Sequence, residues 1–539
     1  MLGRRELFHI VAAGLFSYLF FLALKPVADP DLFWHLKNGQ WMVEHRSLVG
    51  PEDPFSYTAP RPLGEWSDMR FQWLEWLGEL VLYLIYLIGG FPGLSLMRAA
   101  FITLPFVYLY IRFSTKEARP WALLPFLVFP PFLIILGMHY TFERPQAFSF
   151  LLALLTVILL ERARDRRKGP WVLLPVMLLW TNLHGGYIVG VAIILIYMTG
   201  EGIMTAIRRG KGATLSFFLI CLLSIAVTGL RPGCYELIYE WLKGLFFGLA
   251  GGPAAFLEFQ PLWYFYRVYH LKWPVYITAF IGIVLLTVLL RYIHTAGAPC
   301  PHERRFDLTE ALLTIAMGGL GLYYARGANF ALMTMPFIAC RSLSSSTGGG
   351  TAARAVPALL MSIVLIAMLV GATSPRDIGA TAGQLRPTIP ERWVDDVYPE
   401  GAVRFVREQG IRGPMFNEMR WGGYLIWRLH PEHKVFIDGR AVAPELMGLY
   451  AAVMGGLPGW EDALGSFNVN FILVRVKSLE LGAVTPLVQR ITEQGPARWR
   501  AVYMEGNAVI FLKVTEANKD LIRKFAIPPD VLKALLKAS

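Results

Sequence analysis

Cysteine is nearly absent from this chain: four residues in 539 (Cys221, Cys234, Cys300, Cys340), in separate segments and without metal-ligand spacing. That argues against a disulfide framework and against a zinc site. Charge is scarce too, at 17% of residues, whereas 55% are hydrophobic and 14% aromatic. This balance is too apolar for a soluble multidomain protein. There is no internal repeat and no long low-complexity tract, and residues 342–350 read only as a flexible loop. The net charge of +12 does not point to nucleic acid. Its basic residues gather in short loops between apolar runs, at 112–119, 161–168, 208–211, 291–305 and 341–354, where positive charge sets membrane topology.

What the chain has in abundance is long apolar runs. Arg4 and Arg5 precede the first, residues 7–24, which is long for a signal peptide. It is followed by a poor cleavage site at Pro26-Val27-Ala28, so it reads as an uncleaved span. The N-terminus and the basic loops are placed in the cytoplasm. Further runs then alternate at 93–111, 120–138, 146–160, 171–181, 187–206, 213–230, 273–290, 308–323, 328–340 and 355–373, about eleven spans with the first. The stretch 73–90 is one too many for that parity. It carries Glu75 and Glu79, an i,i+4 pair, beside Trp73 and Trp76, and is expected to lie along the outer interface as an amphipathic helix. The hairpins 171–206 and 308–341 are short for two crossings of about 20 residues each. Their tips, Asn182-Leu183-His184-Gly185-Gly186 and residues 323–329, are expected to dip below the outer surface and line a wet cavity.

The fold class is a polytopic α-helical membrane protein with a C-terminal soluble α/β domain. Residues 1–374 form the membrane domain, with a first outer loop at 26–92, and residues 375–539 an external domain. Short β-rich runs at 434–438, 470–474 and 508–512 alternate with helical patterns at 399–409, 445–455 and 480–493, and an amphipathic helix closes the chain at 529–538.

Under this topology the unusual polar residues share the external side: Asp29, Asp31, His35, Glu75, Glu79, His139, Glu143, Arg144, Gln146, Asn182, His184, Arg231, Arg326 and Asn329. Ionisable groups at that depth mark function by default. A carboxylate can accept the proton of an incoming hydroxyl or amine, while arginines hold the departing phosphate of a lipid-linked sugar. Such a donor brings its own leaving group, so one in-line displacement inverts the anomeric centre without an enzymic nucleophile. Plainer roles stand beside these. Asp29 and Asp31 would cap the first span's end, Glu75 and Glu79 form a solvated face, and Arg144 and Arg326 snorkel to headgroups. His184 would pack by hydrogen bonding, residues 263–269 form an interfacial belt, and Asp438-Gly439-Arg440 makes a turn with a salt bridge.

A span ending in Asp29-Pro30-Asp31-Leu32-Phe33-Trp34-His35, then Asp53-Pro54-Phe55-Ser56-Tyr57-Thr58-Ala59-Pro60, then Glu75-Trp76-Leu77-Gly78-Glu79, resembles bacterial GT-C superfamily membrane glycosyltransferases. Protein mannosyltransferases, aminoarabinose transferases and oligosaccharyltransferases share that architecture. The segments Glu143-Arg144-Pro145-Gln146, Asn182-Leu183-His184-Gly185-Gly186 and Trp421-Gly422-Gly423-Tyr424 through Asp438-Gly439-Arg440 extend the likeness over most of the chain. The resemblance implies an essential acid in the first outer loop, Asp29 or Asp31, and lipid-phosphate contacts from the outer arginines. His35, Glu75, Glu79, Glu143, Arg144, Asn182, His184, Arg326 and Asn329 are expected to bind substrate. Some relatives use a divalent cation (Mg or Mn) and others none; here Asp29 and Asp31 would be its ligands. The adjacent acidic pair of protein mannosyltransferases is replaced by Asp-Pro-Asp, which leaves the choice of base open.

The expected activity is transfer of a sugar from a polyprenyl-phosphate-linked donor to a glycan, lipid or protein acceptor at the outer face of a bacterial cytoplasmic membrane. The N-terminus would be cytoplasmic and the C-terminal domain external. The alternatives are a transporter or lipid flippase and a non-catalytic envelope-polysaccharide assembly protein. Against transport, the inner-side loops offer no comparable polar set and there is no inverted half-repeat.

Overall fold

The computed structural model describes residues 4–48, 52–59, 75–114, 120–207, 213–232, 261–269, 271–296, 307–345, 351–372, 394, 397–440, 446–477, 483–495 and 497–538. Two compact units emerge: one of residues 1–26 and 89–393, the other of residues 27–88 and 394–539.

The first unit is helical. Its apolar runs form the helices Arg4–Leu22, Pro120–Gly137, Gln146–Arg166, Leu173–Leu183, Tyr187–Ile207, Leu215–Ala226, Trp273–Ala296, Leu308–Tyr323, Ala325–Ser345 and Thr351–Ala372. The helix Trp76–Phe113 breaks at Gly90, where φ is +58°. The break divides the stretch read as interfacial from the run 93–111; residues 73 and 74 lie outside the described residues. Among the described residues four helices are long and apolar enough to cross a bilayer: Trp76–Phe113, Gln146–Arg166, Tyr187–Ile207 and Trp273–Ile293. The other apolar helices are shorter. Pro125, Pro130 and Pro131 all lie inside Pro120–Gly137. Pro is tolerated in apolar helices because neighbouring groups satisfy the freed carbonyls. The core holds Phe106, Phe126, Phe129, Phe142, Phe150 and Trp180. Leu195, Leu219, Leu289 and Leu359 point outward, as residues bathed by lipid would.

The second unit holds a four-stranded sheet in the order β1-β2-β4-β3 (β1 Met415–Asn417, β2 Phe471–Arg475, β3 Trp499–Glu505, β4 Ala508–Lys513). β1 runs parallel to β2, and the other pairings are antiparallel. β2 is buried along its whole length, as expected of a central strand covered on both faces. Helices Glu400–Glu408, Leu446–Met454, Pro486–Gln494 and Pro529–Ala538 match the sequence reading. Gly422–Leu429, Trp460–Ser466 and Lys519–Phe525 were not foreseen.

The run 434–438 is not a strand. Val435 makes an isolated bridge to Ser56, with Val435 N donating to Phe55 O at 2.9 Å. Phe436 N donates to Asn417 Oδ1 at 2.8 Å, and Asn417 Nδ2 donates to Ile437 O at 2.8 Å. A buried asparagine side chain and a loop thus satisfy the backbone that a ladder would otherwise pair. β1 escaped notice because three residues cannot show a period, and β3 because its register shifts between Ala501 and Tyr503.

Residues 27–48, 52–59 and 75–88, read from the sequence as an outer loop of the membrane domain, cluster with this second unit. Val27 pairs with Val394, and Tyr398 Oη donates to Ala28 O at 2.7 Å. Helix Leu32–His45 sets Phe33 edge-on to Tyr398 and Tyr424, with ring centroids 4.8 and 4.9 Å away. Gly39 faces Glu79: a Cβ there would lie 2.5 Å from Glu79 O and from Tyr83 Cβ, so only glycine allows the approach. Arg440 Nη1 reaches Asp53 Oδ1 at 2.7 Å and Nη2 reaches Asp438 Oδ2 at 2.8 Å, with both carboxylates fully buried. Those two carboxylates hold the guanidinium's pKa above its usual value against the opposing effect of burial. The turn with a salt bridge foreseen at 438–440 is present, and it takes in Asp53 from the first outer loop.

Two outcomes follow from this packing. Arg440→Met strands two buried carboxylates and is expected to lower stability by about 3–5 kcal/mol; Arg440→Lys should recover only part, because a point charge cannot match both forks. Denaturant titration of the full-length protein measures both. His430 supplies the second. Burial, helped by the Lys37 and Lys434 cations, pushes its pKa down from 6.5 to about 4, so between those values the unfolded chain binds the proton that the folded one refuses. Stability should fall as pH drops from 6.5 toward 4 and level off below. His433 is lowered in the same sense, again chiefly by burial. A His430→Leu/His433→Leu double variant should flatten that part of a melting-temperature profile; an unchanged slope would remove both histidines as its cause.

Candidate functional site

The site residues expected from the sequence fall into two sets, one in each unit. In the second unit Asp29 is fully buried, and its Oδ1 accepts the Asp31 N–H at 2.8 Å across Pro30. This is the local turn that Asp followed by Pro favours. Asp31 holds the N-cap position of helix Leu32–His45, yet its side chain makes no capping bond. Its Oδ1 lies instead against Gly439, where a Cβ would collide with it. Neither carboxylate is therefore an ordinary helix cap.

One turn into that helix, His35 Nδ1 meets Glu79 Oε1 at 3.0 Å and Nε2 lies 3.8 Å from Glu75 Oε2. Asn38 Nδ2 donates to the same Glu79 oxygen at 2.9 Å. The structure thus unites His35, Glu75 and Glu79. The i,i+4 carboxylates share a helix face as foreseen, but Glu79 is 2% exposed and so is not a solvated group. Asn38, i+3 from His35, was missed. Because it faces a carboxylate, it must present N–H there, which leaves its buried Oδ1 without a partner.

In the first unit the polar groups gather at the first-turn end of helix Gln146–Arg166. Glu143 and Arg98, both fully buried, form an ion pair. Arg98 also donates to Ala23 O at 3.0 Å, to Lys25 O, to Pro26 O at 3.3 Å and to Ser95 Oγ at 3.0 Å. It satisfies carbonyls just past the helix Arg4–Leu22, so Glu143 neutralises a helix-end arginine that sequence reasoning overlooked. A single charge inside the apolar run 93–111 was the available signal.

His184 is fixed by its neighbours. Gly186 N–H donates to Nδ1 at 2.8 Å, so this nitrogen is an acceptor and the neutral ring carries its proton on Nε2. Ser149 Oγ lies 2.7 Å from the same nitrogen and itself accepts from Trp180 Nε1 at 2.7 Å. Asn182 Nδ2 donates to Leu178 O at 2.9 Å and Leu230 O at 3.3 Å, tying the hairpin tip to the next segment. Arg231 lies over the Tyr187 ring, 5.7 Å from its centroid. Thr141 joins two further residues: Gln146 Nε2 donates to Thr141 O at 3.3 Å and Asn329 Nδ2 to Thr141 Oγ1 at 3.1 Å. Arg144 and Arg326 are half-buried beside this group in sequence. The side chain of His139 lies outside the described residues.

One expectation is overturned. The segments read as inner-side, and as lacking a comparable polar set, contain one. Arg164 Nη1 binds Glu161 Oε1 at 2.6 Å, and its Nη2 binds Glu201 Oε1 at 2.7 Å and Asp307 Oδ1 at 2.9 Å. Tyr197 Oη donates to Glu161 at 2.8 Å, Arg341 also reaches Glu161, and Arg291 pairs with Glu310 at 2.8 Å. These residues looked like loop charges because they lie near the ends of apolar runs. In the fold the helix ends converge and bury them. Fifteen residues of helix separate Gln146 from Glu161, which puts the two polar layers roughly 22 Å apart.

The described residues contain no group of three or more His, Cys, Asp or Glu suited to a metal ion. Asp29 and Asp31 thus gain no third His, Cys, Asp or Glu ligand among the described residues.

No protein-family model and no curated protein sequence matches this chain. Solved structures do. The archaeal oligosaccharyltransferase AglB from Archaeoglobus fulgidus, in complex with an inhibitory peptide and a dolichol-phosphate, superposes with a TM-score of 0.52 at 12% identity, covering 93% of this chain and 74% of AglB. A second structure of the A. fulgidus oligosaccharyltransferase, tethered by a disulfide bond to an acceptor peptide containing the NVT sequon, gives a TM-score of 0.51 at 12% identity, with 94% and 74% covered. At that identity the likeness concerns the fold alone: the chain shares the fold of these oligosaccharyltransferase structures.

Proposed function

We propose that this protein is an inverting glycosyltransferase that moves a sugar from a polyprenyl-phosphate-linked donor to a glycan, lipid or protein acceptor. It would work at the outer face of a bacterial cytoplasmic membrane, with a cytoplasmic N-terminus, about eleven spans and external C-terminal residues. The observation that carries the reading is the Asp29-Pro30-Asp31 turn. One carboxylate is fully buried, and neither is used as a helix cap, in a chain with the GT-C fold. AglB, the structural neighbour, was solved with a dolichol-phosphate and a peptide, which makes a lipid-phosphate donor the natural class.

In this reading one of the two aspartates accepts the acceptor's proton as its oxygen or nitrogen attacks the anomeric carbon. The glycosidic C–O bond breaks with its electrons on the polyprenyl phosphate, and Arg144 and Arg326 hold the departing anion. His35, one turn into the helix that Asp31 opens, would orient the substrate together with Glu75 and Glu79, which it meets from the neighbouring helix. Glu143, Asn182 and His184 act through the neighbours they hold.

The transporter or flippase reading must account for the buried ionic layer around Arg164, whose charges are closed on one another. One experiment separates the readings. Asp29→Asn and Asp31→Asn are made separately in the full-length protein in nanodiscs and supplied with glycosylated undecaprenyl phosphate. The variant lacking the base should lose roughly 10²–10⁴ in turnover, with its melting temperature and donor binding retained. Turnover within twofold of wild type in both variants would end the catalytic proposal, and loss of lipid flux alone would favour transport.

A further inference from the structure

Two amide side chains in the first unit have a fixed orientation and an unanswered oxygen. Thr141 Oγ1 donates its hydrogen to Met138 O at 2.7 Å, so toward Asn329 it can only accept, and Asn329 must face it with N–H. Gln146 faces the Thr141 carbonyl, which also only accepts, so it too must present N–H. The network therefore fixes both amides without ambiguity of flip. Asn329 Oδ1 and Gln146 Oε1 are left buried and without a partner, in side chains only 1% and 2% exposed. Leaving a buried acceptor unmatched is unfavourable, and an unmatched one in a native fold calls for an explanation.

The neighbours say what could answer them. Asn329 stands i+3 from Arg326 on helix Ala325–Ser345, and Gln146 stands two residues after Arg144. At i,i+3 spacing the Cβ atoms lie about 5–6 Å apart, which is the order of one sugar ring from a phosphate. Amide oxygens accept from O–H or N–H and repel anions, the reverse of guanidinium. We propose that Gln146 and Asn329 form a hydroxyl-reading subsite, in which their side-chain oxygens accept hydrogen bonds from the neutral sugar of the lipid-linked donor while the arginines take its phosphate. Thr141 is the positioning residue that aims both. This deepens the glycosyltransferase reading and rests on it. It also restricts the donor: the sugar must offer hydroxyl or amine donors there, and a carboxylate at that place would be refused.

The test uses full-length protein in nanodiscs and two probes, bare undecaprenyl phosphate and undecaprenyl phosphate carrying a neutral hexose, with binding followed by native mass spectrometry and folding by thermal melts. Wild type should prefer the hexose-bearing lipid. Asn329→Leu and Gln146→Met should each lose about tenfold in affinity for that lipid, the size of one hydrogen bond to a buried acceptor, while binding of bare lipid stays within twofold. Thr141→Val, which removes only the Asn329 anchor, should lose the same selectivity. The inference is overturned if the variants weaken both lipids alike, if they weaken neither, or if they only raise the melting temperature, as relief of a water-filled void would. Wild type binding both lipids equally well would overturn this inference alone. Wild type binding neither would overturn the donor reading with it.

Discussion

Charge buried in apolar surroundings must be matched, and this chain repeatedly matches it with a guanidinium held against carboxylates. Arg98 has Glu143, Arg164 has Glu161, Glu201 and Asp307, and Arg440 has Asp53 and Asp438. Such sets add little net stability over a well-packed apolar core, but breaking one is severe. Their effect is to single out one arrangement. Arg98 permits one course for the chain leaving its first helix, and Arg440 permits one seat for residues 53–58.

Against that matched background the unmatched groups acquire meaning. Asn38, Gln146 and Asn329 each give an N–H to an acceptor that cannot reciprocate, and each keeps a buried oxygen. The same rule fixes His184, whose Nδ1 accepts from Gly186 and so directs its proton to Nε2. A sequence can name these residues but cannot orient them; orientation comes from neighbours such as Ser149, Thr141 and Met138, which carry no signal of their own.

That difference explains what was legible. The apolar runs became helices nearly residue for residue, because hydrophobic length and terminal charge are properties of a segment alone. The i,i+4 spacing of Glu75 and Glu79 correctly put both on one face, and Asp438-Gly439-Arg440 was a turn with an ion pair. The second partner of Arg440, Asp53, lies hundreds of residues away and was invisible. The run 434–438 had strand composition but no strand to pair with, since Asn417 and the loop at 55–58 took its backbone. Glu161 opened a basic loop and Glu201 and Glu310 sat inside apolar runs without drawing notice; only convergence of several helix ends brings them together as a buried set.

The two ends of helix Gln146–Arg166 sharpen the choice between catalysis and transport. At its last turn the charges are closed on one another: both terminal nitrogens of Arg164 meet carboxylates, and Tyr197 completes Glu161. Moving a solute past that layer would mean breaking several low-dielectric ion pairs at once, each expensive to leave single. At its first turn the closed pair of Glu143 and Arg98 stands beside neutral amides with open acceptor positions and arginines suited to an anion. A conduit needs groups that re-pair at both ends of the path, whereas a transferase needs one open end and a rigid floor. The asymmetry along this single helix favours the transferase, with the ionic layer as the floor.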